Sequence, residues 1–204
     1  MKKWVATLAV CLVSSFGHAA DNFLLEVNGE PHDIRIDTLK EITLADGTKL
    51  NIKLSMKNDI EYMRPYFNFT HSGVFRVTTT DLGDGLFQTL MISPSGTLIL
   101  IQEHTDMDPT FMLDSMIEEI TRPETEAGFD VAQTPITKKA GPKELAGKRV
   151  VTTNDEGASL TREIYAVGGN ECGLLILTAI DLKSNADEQS LIDSFWEHLT
   201  ITLP

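Results

Sequence analysis

Two short stretches, Leu98-Ile99-Leu100-Ile101 and Leu174-Leu175-Ile176-Leu177, limit what this chain can become. Each is an apolar run with no polar interruption. Successive side chains of a strand point to opposite faces, so an unbroken apolar run must bury both. Such a strand belongs inside a sheet that is covered above and below. Both runs are far too short to cross a membrane as helices, which takes about 20 apolar residues. We therefore expect them side by side at the middle of a sheet.

The rest of the chain supplies the sheet's other members. "ITLADGTKLNIKLSM" alternates apolar and polar residues around Asp46-Gly47, and predicts a hairpin. Asn28-Gly29 marks a turn after "FLLEV", and Ser93 to Gly96 another before "TLILIQEH". "DLGDGL" at 81–86 reads as a hairpin tip between "RVTTT" and "LFQTLMIS". Asn154 to Gly157 closes a hairpin in "KRVVTTNDEGASLTREIYAV", and Gly168-Gly169 turns the chain into "CGLLILTAI". Turns this short join antiparallel neighbours, because parallel ones need long crossovers.

Two segments carry helical spacing. In "DPTFMLDSMIEEI", Asp108 caps, Pro109 takes the first helical position, and Met112, Leu113, Met116, Ile117 and Ile120 share a face. In "NADEQSLIDSFWEHL", Asn185 or Asp187 caps, and Leu191, Ile192, Phe195, Trp196 and Leu199 share a face. Each stripe needs an apolar surface beneath it. The expected fold is α+β: a mostly antiparallel β-sheet flanked by helices on both faces, an α/β/α sandwich. Residues 122–147, rich in Pro, Gly and charge, read as a connector.

The N-terminus predicts the compartment. Lys2 and Lys3 precede an apolar stretch from Trp4 to about Phe16, and small residues follow at Gly17, Ala19 and Ala20. That is the pattern of a cleaved signal peptide over residues 1–20, and it predicts a periplasmic protein whose single α+β domain spans 21–204. "LAVC" at 8–11 also resembles a lipobox, in which case Cys11 would carry lipid. The full chain has net charge −13, and removing Lys2 and Lys3 makes the remainder more acidic still. This charge repels nucleic acid and anionic headgroups. No nucleic-acid partner and no membrane insertion after cleavage are expected.

Candidate sites are few. Cys172 loses its potential partner Cys11 with the leader. Opening an apolar central strand beside Glu171, it reads as a small buried hydrophobe, because a negative neighbour and burial both disfavour a thiolate. His104, Asp106 and Asp108 would point one way in an extended chain and could hold a divalent ion. Asp108 as a helix cap is the competing reading. "EYMRPYFNF" concentrates Tyr62, Met63, Arg64, Tyr66 and Phe67 around Pro65. These residue types are enriched at recognition surfaces, and we take them as a candidate partner-binding patch. Aromatics lining the core are the alternative. No nucleophile elbow, zinc motif or P-loop is present, so no catalytic, cofactor or metal residues are assigned.

The C-terminal half, "LAGKRVVTT…REIYAV…CGLLILTAI…DSFWEHLTI", resembles the PsbP/DcrB-like group, whose fold is shared with the Mog-type Ran-binding proteins. The resemblance is carried by Gly147 before a strand, Thr178-Ala179 ending one, and Ser194-Phe195 in the last helix, and it extends over about 65–203. In place of the group's Pro-Gly-Trp-like turn stands "THSGVFRV". The resemblance implies an antiparallel sheet in an α/β/α sandwich and a binding or accessory role. It offers no catalytic residues to carry over. The expected function is a non-enzymatic periplasmic binding protein that docks to another envelope protein. The alternatives are an immunity-type antagonist of a toxin in the periplasm, or a small metal-dependent hydrolase.

Overall fold

The computed structural model describes residues 22–57, 59–181 and 186–204. The expected signal peptide, 1–20, and the expected cap at Asn185 lie outside the described residues. The chain divides into two compact units, Met1–Ser55 and Met56–Pro204.

The described part of the first unit is two hairpins. β1 (Asn22–Val27) and β2 (Glu30–Arg35) meet at Asn28 and Gly29, with φ of 52° and 85°. Two successive positive φ values define the tight hairpin turn that Asn-Gly favours. β3 (Leu39–Thr43) and β4 (Lys49–Lys53) pair around Gly47, and the Asp46 side chain accepts from Thr48 N at 2.9 Å. Ile34 and Ile42 are the residues this unit buries almost completely.

The second unit contains two sheets and two helices. β5 (Ile60–Met63), β6 (Phe67–His71) and the short β14 (Thr200–Ile201) form a three-stranded sheet with β6 in the middle. The larger sheet holds seven strands in the order β10-β11-β12-β13-β9-β8-β7, with every neighbouring pair antiparallel. These are β7 (Arg76–Gly83), β8 (Leu86–Ile92), β9 (Leu98–His104), β10 (Asp130–Ala140), β11 (Lys143–Thr153), β12 (Ser159–Gly168) and β13 (Gly173–Asp181). The two apolar runs lie where expected. β13 is the middle strand, β9 is beside it, and Leu100 faces Leu177 as Ile101 faces Ile176.

The runs divide their residues between two buried clusters. Ile99, Ile101, Leu174 and Ile176 join Phe67 and Phe69 of β6, and Phe195, Trp196 and Leu199 at the end of the chain. Leu100 and Leu177, at the alternate positions, join Ile117, Val150 and Ile164. Phe195 and Trp196 belong to α2 (Ala186–His198) and Ile117 to α1 (Leu113–Glu126). The fold is thus mostly antiparallel sheet with two helices, and the expected apolar stripes of both helices are in use.

Asp108 caps as expected: its Oδ1 accepts from Thr110 N at 2.8 Å, with Pro109 at the first helical position. The first turn, Pro109–Met112, is a 3-10 turn that feeds α1. The segment 122–147 departs from the expectation of a connector. α1 continues through Pro123 to Glu126, giving up one helical bond at the proline. Gly128, at φ 87°, ends it, and Phe129 N reaches back to Glu124 O at 2.9 Å. β10 and β11 then occupy 130–153. Pro135 is tolerated because β10 is an edge strand with one neighbour, so its missing N–H breaks no second ladder. Most of β10's side chains are exposed, so its composition matches a loop. Gly147 lies inside β11 rather than before it.

Candidate functional site

The residues proposed from "EYMRPYFNF" form the end of the β5–β6 hairpin. Pro65 sits in the tip, where its fixed φ suits a turn. Arg64 N donates to Phe67 O at 2.8 Å and closes the tip. The chain's last residues clamp it: Thr202 N donates to Tyr66 O at 2.8 Å and Thr202 Oγ1 to Pro65 O at 3.2 Å.

Strand alternation separates the candidates. Phe67, Phe69 and His71 point inward. Phe67 is fully buried, so it belongs to the core and not to a surface patch. Tyr62 is partly buried and stacks on Phe69 at 5.1 Å between ring centroids. Its hydroxyl bonds Thr79 Oγ1 on β7, which makes Tyr62 mainly a packing residue. Met63, on the opposite side of β5, is 68% exposed. Tyr66 is half-buried. The structure therefore leaves Met63, Arg64 and Tyr66, with exposed Pro65, at the surface of the tip.

Arg64 is fixed from below. Its Nε donates to Glu103 Oε2 at 2.8 Å, and Nη2 forms an ion pair with the same oxygen at 2.7 Å. Its guanidinium also lies 4.7 Å from the ring centroid of Phe87, a cation–π position. Glu103, near the end of β9, is 1% exposed. Its second oxygen, Oε1, has no hydrogen-bond partner among the described residues. Sequence reading gave Glu103 no role. Its signal was its parity, since it shares a face with Ile99 and Ile101, where a carboxylate is out of place.

Cys172 lies close by and is 1% exposed. Burial, followed by the neighbouring Cys172 and Glu103, pushes the Tyr66 phenol above its ordinary range. Gly169 N donates to Cys172 O at 2.8 Å. A Cβ at Gly169 would stand 3.1 Å from Leu203 Cβ and 3.2 Å from Cys172 Sγ, so the chain's last residues pack against the Gly169 turn beside the thiol. Cys172 is a buried structural cysteine, as its setting in the sequence implied.

His104, Asp106 and Asp108 are not brought together. β9 stops at His104 and the chain bends, so the extended spacing that would align the three is absent. His104 is buried, Asp106 is exposed, and Asp108 is committed to Thr110. Among the described residues, no group of three or more His, Cys, Asp or Glu side chains is placed to hold a metal ion. Burial pushes the His104 imidazole below its usual range, with Asp106 opposing weakly, and its Nε2 has no hydrogen-bond partner among the described residues.

No family model matches the chain, and no curated protein does. Solved structures give distant likenesses. A protein crystallised from Bacteroides thetaiotaomicron VPI-5482 is 12% identical with a TM-score of 0.43, over 72% of this chain and 49% of that one. This chain thus spans about half the length of that protein. LpqN, involved in cell envelope biogenesis of Mycobacterium tuberculosis, is 12% identical with a TM-score of 0.37, over 71% of this chain and 91% of LpqN.

Proposed function

We propose that the chain is a non-enzymatic binding or accessory protein of the periplasm, docking to another envelope protein through the tip formed by Met63, Arg64, Pro65 and Tyr66. The observation that carries this reading is the Arg64–Glu103 pair. Burying a carboxylate is costly, and such a pair seldom adds net stability over apolar residues of similar size. What it does supply is a fixed pose. Arg64 is held by a hydrogen bond, an ion pair and a ring, and Met63 and Pro65 are presented beside it. A recognition surface ordered in advance avoids the entropy cost of ordering on contact.

The periplasmic assignment rests on the leader-like residues 1–20. The sandwich and the PsbP/DcrB-like kinship belong to the same proposal. Their support is that α1 shares a cluster with Leu100 and Leu177, while α2 shares the other with Ile99 and Ile176. The test is capture from an envelope extract by the tagged protein and by Met63→Glu. The same protein should be retained by the wild type and lost by the variant, with equal melting midpoints. Equal retention by both would reject the tip as the docking site.

A further inference from the structure

The two edges of the large sheet are built differently. β10, at one edge, carries Pro135 and the lysines Lys138 and Lys139, and residues of both helices lie against it. Proline and lysine are devices by which edge strands resist pairing with another chain. β7, at the other edge, reads "RVTTTDLG" and has neither. Threonine and valine favour strands, and nearly every side chain from Arg76 to Gly83 is exposed. A bulge interrupts its ladder at Asp81 to Gly83, past the run of threonines.

We propose that the β7 edge pairs antiparallel with β7 of a second copy of this chain, about a twofold axis at Thr79. An antiparallel continuation keeps each face of the sheet on its own side, so paired residues must share parity. The axis at Thr79 satisfies this: Thr78 meets Thr80 of the other copy, and Val77 meets Asp81. Charge complementarity favours the second copy as the occupant. Arg76 stands at one end of β7, and Asp81 with Asp84 at the other. The antiparallel arrangement brings each Arg76 to the acidic end of its partner. The same arrangement lays the Arg76 stem beside Leu82, which is 50% exposed at the bulge. A pair of this length covers less than the ~1,200 Å² of a standard interface, so association is weak and concentration-dependent.

Sedimentation velocity on the purified protein tests this. A dimer should grow in between roughly 10 and 500 µM protein, a range set by the small interface. Thr78→Lys/Thr80→Lys places four like charges at the seam and should return the protein to monomer, with its circular dichroism and melting unchanged. Arg76→Glu, which reverses the charge brought to the acidic end of the partner strand, should weaken the dimer at least several-fold and serves if the double variant misfolds. A wild type that stays monomeric across the range overturns the proposal. So does a dimer that survives in a folded lysine variant.

Discussion

Arg64→Ala would leave the Glu103 carboxylate charged and buried without a partner. Breaking a buried pair from one side costs about 3–5 kcal/mol, and less here because Arg64 keeps some exposure, so we expect about 2–3 kcal/mol in urea denaturation. Arg64→Met/Glu103→Leu should cost less than Arg64→Ala alone, because no charge is stranded. A double variant worse than the single would show that the pair itself stabilises the fold. His104 adds a pH dependence. Its folded pKa is depressed, so below the ordinary imidazole value near 6.5 the unfolded chain binds more protons than the folded one. Stability contributed by the neutral ring is full above that value and falls as pH drops through it. Thermal melts from pH 7.5 to 5.5 should show the loss, and His104→Gln should flatten it. Much of this region could be read in advance, and some could not. The patch 62–67 was visible as a cluster of residue types. Sorting Phe67 from Met63 required the register of β5 on β6, which no local residue announces.

Element by element, the chain was legible where turns and periods were strong. The hairpin tips at Gly29, Gly47, Gly85 and Gly157 all have positive φ, as their sequences demand. β10 escaped because an edge strand with polar, exposed side chains has no alternation to detect, and β5, β6 and the short β14 were not read as strands either. Gly147 shows the converse, a residue whose reason lies wholly in its neighbours. A Cβ there would collide with Ile164 O and the Tyr165 ring on β12. Gly147→Ala should therefore destabilise by about 1–3 kcal/mol, the range for overpacking, although alanine is otherwise the milder residue. A loss below about 0.5 kcal/mol in chemical denaturation would mean that β11 and β12 separate easily.

On the scale of the whole molecule, the two apolar runs mark the middle of the large sheet, where β9 and β13 lie side by side and each sends residues into both buried clusters. The division at Ser55-Met56 has no such signature, since no shift in composition marks it. The packing of the last residues against the Gly169 turn, beside buried Cys172, makes a prediction that belongs to this scale. In the intact protein the thiol should resist an aromatic disulfide reagent over minutes. In a chain lacking residues 202–204 it should react at least about tenfold faster, since accessibility governs thiol attack. Unchanged protection would show that the last residues do not cover the thiol. The clamp on the hairpin tip joins Thr202 to Pro65 across 137 positions. Closing so long a loop is entropically expensive until the intervening strands have drawn its ends together. The knuckle at Pro65 is thus a late arrival in assembly. By the same reasoning it is an early departure under stress, so partial unfolding would release the tip before it melts the sheet.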